Sequence, residues 1–108
     1  MAKYNVWNGD GGTRPFNSIE TAGRYAYASM KRFMDKWRNE ELETRVIFTP
    51  NEPRASMYFG RIHYRRSEFS YFYDGRVMRK LCADGSLTTL TPNEKAIIKK
   101  VENNPKNW

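Results

Sequence analysis

The chain has 108 residues, of which 39% are hydrophobic and 15% aromatic, and it carries a formal charge of +7. That length suits one domain with a modest core, and three Trp, seven Tyr and six Phe argue against global disorder despite a mean hydropathy of −0.87. No apolar run approaches the roughly 20 residues that span a bilayer, one cysteine excludes an internal disulfide, and one histidine excludes zinc-site spacing.

In chain order, "KYNVW" at residues 3–7 alternates as a short strand, with Tyr4 and Val6 on one face. The glycine-rich loop "WNGDGGTRPFNS" then leads toward a helix, a geometry that can hold phosphate on free amides. Its glycines fit neither a P-loop nor a dinucleotide fingerprint, and Asp10 would repel an anion, so the loop is expected to turn the chain from strand to helix. Asn17 and Glu20 have the spacing of a capping box. A long amphipathic helix over residues 18–43 follows, with Ile19, Ala22, Ala26, Met30, Phe33, Met34 and Trp37 on its core face.

Beyond the acidic "NEELE", "TRVIFTP" reads as a strand and the proline-containing "TPNEPRAS" as a loop. "SMYFGRIHYRR" alternates clearly, with Tyr58, Gly60, Ile62 and Tyr64 on one face and Met57, Phe59, Arg61, His63 and Arg65 on the other. Asp74-Gly75 and Asp84-Gly85, each between β-prone runs, predict a β-meander. Thr91, Pro92 and Glu94 open a short C-terminal helix with N-cap, first-turn proline and capping box, and Ile97, Ile98 and Val101 anchor it. The fold expected over residues 1–108 is a single α+β domain in the order β-α-β-β-β-β-β-α. An antiparallel sheet of four to six strands packs against one long helix in the N-terminal half, with a short helix at the C-terminus.

Charge is unevenly spread. Residues 54–80 hold seven basic groups, six of them arginines, against Glu68 and Asp74, while the flanking segments are close to neutral. Such asymmetry points to a polyanion or an acidic protein as partner. In "FGRIHYRRSEFSYFYDGR" arginines alternate with aromatics, the mixture with which nucleic-acid-binding sheets neutralise phosphates and stack bases. The leading expectation is a non-enzymatic cytoplasmic protein, with no cofactor or metal, that binds RNA or single-stranded DNA. Arg61, Arg65, Arg66, Arg76 and Arg79 would contact phosphate, Phe59, Tyr71 and Tyr73 would stack, and His63 would lie on the same face. The competing arrangement buries these aromatics, one sheet face under the long helix and the other under the C-terminal helix.

Two other functions fit the residues. One is a small inhibitor or adaptor, of the kind a virus or mobile element encodes, whose basic surface blocks an acidic or nucleic-acid-handling protein complex. The other is a small ribonuclease with His63 as general base and Glu52, Glu68 or Asp74 as its acid partner. Cys82 has no second histidine to activate it and reads as a small buried residue. No membrane partner is expected, and the sequence leaves the oligomeric state open.

Overall fold

The computed structural model describes residues 3–37, 44–50 and 56–104. The expected acidic "NEELE" segment, most of the proline loop with Glu52 and Arg54, and the final four residues lie outside them. The fold is α+β. Its elements in chain order are β1 (Tyr4–Trp7), β2 (Thr13–Phe16), α1 (Ile19–Trp37), β3 (Thr44–Phe48), β4 (Met57–Tyr64), β5 (Ser67–Asp74), β6 (Met78–Leu81), β7 (Leu87–Thr88) and α2 (Pro92–Glu102). Strands β3 to β7 form an antiparallel meander in sequence order, and β1 pairs with β2 in a separate hairpin.

The glycine loop departs from its expected role. It closes a hairpin instead of joining a strand to a helix, and residues 13–16 form a strand that the sequence reading had assigned to the loop. Asn8 organises the turn. Its side-chain oxygen accepts from the amides of Asp10 (2.9 Å) and Gly12 (3.2 Å), and its own N–H donates to the Gly12 carbonyl at 3.0 Å. Two of the amides that a phosphate would need are thereby occupied. The helix N-terminus also lies a full strand further on, capped by Ser18 rather than Asn17: the Ser18 hydroxyl accepts from the Thr21 amide at 3.2 Å.

Helix α1 crosses one face of the sheet. Ala22, Ala26 and Met30 pack there on Phe48, Phe59, Phe72 and Leu81, with Val6 of β1 completing this core. Phe59 and Phe72 are cross-strand partners whose ring centroids lie 5.0 Å apart, and each buried ring of this size contributes about 2–3 kcal/mol. Helix α2 covers the opposite face, where Ile98 and Val101 meet Ile62, Tyr64, Phe69 and Tyr71.

Gly60 makes that second core possible. A Cβ on it would stand only 2.5 Å from Cζ of Tyr71, so the tyrosine ring occupies the space that any side chain at residue 60 would take. At the N-terminal end of α1, Gly85 has a φ of +89°, and a Cβ on it would run into the Glu20 carbonyl oxygen, so no other residue fits between turn and helix.

Candidate functional site

The register sorts the sequence-predicted site residues onto two faces. Three cross-strand rows lie on the α1 side: Phe48, Phe59, Phe72 and Arg79; then Val46, Arg61, Ser70 and Leu81; then Thr44, His63 and Glu68. Tyr71 pairs with Gly60 and Tyr73 with Tyr58, which places both tyrosines on the α2 side. The sheet face expected to unite Phe59, Arg61 and His63 with Tyr71 and Tyr73 therefore does not exist as one surface. The reason is the pleat: neighbouring strands in register keep odd residues of β4 beside even residues of β5.

Burial carries the correction further. Phe59 and Tyr71 are both 0% exposed, so neither ring can receive a base, and Arg61 and His63 are buried as well. Tyr73 is half-buried against Tyr58, at a centroid distance of 5.2 Å. The aromatics thus follow the competing arrangement, with a helix over each face of the sheet.

Arg61 is instead the centre of an internal polar cluster. Its Nη1 donates to the Ser70 hydroxyl at 2.8 Å, its Nη2 stands 3.6 Å from a Glu68 carboxylate oxygen, and its guanidinium carbon lies 5.1 Å from the centre of the Tyr27 ring on α1. A charge this buried is tolerable only with such partners. His63 sits beside it between Thr44 and Glu68, and neither of its ring nitrogens has a hydrogen-bond partner among the described residues.

Of the three acids considered for His63, Glu52 lies outside the described residues. Asp74 sits at the far end of β5, where its carboxylate accepts from the amides of Arg76 (2.8 Å) and Val77 (2.7 Å). Those two bonds, Val77 first, hold its pKa below the usual carboxylate value. Only Glu68 adjoins His63, and it is engaged with Arg61.

A cleft of about 380 Å³ opens where β6 leaves the edge of β5, lined by Tyr27, Glu68, Ser70, Lys80, Cys82 and Glu94 among others. Lys80 and Glu94 bridge it at 3.0 Å. Cys82 is half-buried on this wall, more open than the sequence suggests. His63 does not line the cleft. No group of three His, Cys, Asp or Glu among the described residues has the geometry to hold a metal, and no described helix is long and apolar enough to cross a membrane.

The exposed arginines of the predicted site are Arg65, Arg66, Arg76 and Arg79. Arg65 and Arg66 form the two-residue turn between β4 and β5, with Arg65 at a φ of 55° and its guanidinium 5.2 Å from the Tyr64 ring. Lys100 of α2 approaches the same ring at 5.7 Å, so cations from a hairpin and a helix converge there. Arg76 and Arg79 lie toward the other end of β5, a strand of eight residues and thus about 23 Å long.

Sequence reasoning missed a second cationic feature. Arg14 on β2 lies over Tyr25 of α1 (5.3 Å to the ring centroid) and Phe16 (6.0 Å), beside a groove that Arg24 also lines. The strand that carries Arg14 was not foreseen, so nothing in the sequence brought these residues together. Set against protein-family models, curated proteins and solved structures, the chain matches none of them.

Proposed function

We propose that this protein is a basic, non-enzymatic binding domain for nucleic acid, RNA or single-stranded DNA, that works through cations on its outer surface and not through a stacked sheet face. The observation that carries this reading is the imbalance of exposed charge. Among the described residues, thirteen lysines and arginines are exposed against five aspartates and glutamates. Buried or bridged cations such as Arg61 and Lys80 support the fold, while the excess of exposed cations gives the surface a positive field that attracts a polyanion.

Within that set, Arg65 and Arg66 of the hairpin tip, with Lys100 converging on the same Tyr64 ring, supply the main phosphate contacts. Arg76 and Arg79 serve as a second contact further along a strand laid across the surface. Phe59 and Tyr71 are core residues and take no part in binding.

Fluorescence anisotropy with labelled single-stranded RNA, single-stranded DNA and duplex DNA tests the reading at two salt concentrations. Neutralising several phosphates releases their counterions, so affinity is expected to fall by orders of magnitude from low to moderate salt. Charge reversal at Arg65 and Arg66 together is expected to weaken binding more than tenfold with the melting temperature retained. No binding to any probe at low salt would sink the proposal, and a basic adaptor for an acidic protein would take its place.

A further inference from the structure

We infer that the groove between β2 and the first turns of α1, lined by Arg14, Phe16, Thr21, Arg24 and Tyr25, is a stacking subsite for one nucleotide of a single-stranded nucleic acid. This rests on the nucleic-acid reading and supplies a half-buried ring surface beside exposed cations, where the expected stacking rings Phe59 and Tyr71 are buried.

Phe16 and Tyr25 are half-buried, with centroids 5.2 Å apart and planes tilted by 41°, so they form one joined apolar platform. The exposed Arg14 guanidinium lies over both rings. Its outer face is the kind of flat, cationic surface on which an unpaired base stacks. Arg24, also exposed, lines the groove from the helix; Asp84, whose carboxylate accepts from the amide and hydroxyl of Ser86, interacts with it electrostatically. A base on the outer face of the Arg14 guanidinium, which the two rings support from below, with its phosphate reaching Arg24, would use every part of the site.

The groove measures about 310 Å³, at the small end of ligand sites and of the size of one nucleotide rather than a longer segment. Its position also fits a strand that continues past it. Among the described residues strand β2 pairs only with β1, and Pro15 in its middle removes an amide that another β-strand would need. The edge is therefore ill suited to pairing with a peptide, while the side chains beside it remain open to a ligand.

The test compares two probes of equal length and charge, an oligothymidylate and the same backbone with abasic sites, against the wild-type protein and the Tyr25→Leu variant. Loss of about tenfold in affinity for the oligothymidylate, the scale of one base–ring stack, with no change for the abasic probe, is the expected result. Arg14→Lys, which keeps the charge but removes the flat guanidinium at an exposed position outside the core, gives a second reading of the same kind should Tyr25→Leu not fold. If the wild-type protein binds but both variants bind the two probes as the wild type does, the subsite is overturned and the nucleic-acid reading stands. If the wild-type protein binds neither probe at low salt, both fall together.

Discussion

Arg61 and Arg65 belong to the same strand pair and look equivalent in the alternation of β4, yet they do opposite work. Arg61 points under α1, where Ser70, Glu68 and Tyr27 surround it, and its loss would leave a polar hole in the interior. Arg65 stands in water at a turn, in a left-handed conformation that residues other than glycine, asparagine and aspartate rarely adopt. An arginine at a position that favours glycine carries a backbone cost that its exposed side chain does not offset through burial. Arg65→Gly is therefore expected to hold or raise stability, by up to about 1 kcal/mol in urea unfolding, because it relieves the strained φ at some cost in chain entropy. The same variant should bind single-stranded oligonucleotide several-fold more weakly. A loss of stability with unchanged binding would reassign Arg65 to the fold.

At the scale of elements, the parts that were legible in the sequence carry their own local chemistry. The expected β4 alternation matches the strand from Met57 to Tyr64, while Arg65, expected on the same face as Arg61, falls in the turn; both Asp-Gly turns formed, with Asp74 and Asp84 each accepting backbone amides. The α2 start is the clearest case. Thr91 Oγ1 accepts from the Glu94 amide at 3.1 Å while a Glu94 carboxylate oxygen accepts from the Thr91 amide at 3.0 Å. These bonds, with Lys80 nearby, lower the Glu94 pKa, the Thr91 amide first. Thr91→Ala is expected to cost about 1 kcal/mol, read as a lower urea midpoint at unchanged slope. What sequence did not reveal was β2, since glycines before it and Pro15 within it disguise a strand that pairs with β1 in a short separate hairpin. Nor could alternation tell which side of β4 meets water. It assigns residues to faces, but the burial of Phe59 and Tyr71 depends on two helices arriving from distant parts of the chain.

The whole molecule is a sheet with a core on each side, and the α2 side is fastened by one polar hub. Glu102 near the end of α2 accepts from the Tyr58 hydroxyl at 3.1 Å and the Tyr71 hydroxyl at 3.2 Å, and Arg45 of β3 pairs with it at 3.3 Å. Three strands and a helix therefore meet at one carboxylate. Burial first, and the Glu102 charge next, push the Tyr58 pKa from 10.0 up to about 12. Burial also raises the pKa of Tyr71, with the neighbouring Tyr58 and Glu102 adding to it. Since folding raises these values, the unfolded chain loses the phenolic protons first as pH climbs. The stability the hub contributes is thus fully present below pH 10 and declines as pH rises toward about 12. Partial solvent access to Tyr58 moderates the size of the effect without changing its sign. The urea midpoint of the wild-type protein is accordingly expected to fall across that interval. In Tyr58→Phe, which gives up the Glu102 bond and starts lower at neutral pH, the fall should be shallower because one of the two shifted phenols is gone. Equal slopes for the two proteins would mean that the alkaline transition begins elsewhere, in the lysines or at the α1 face, and that the hub holds α2 without sensing pH.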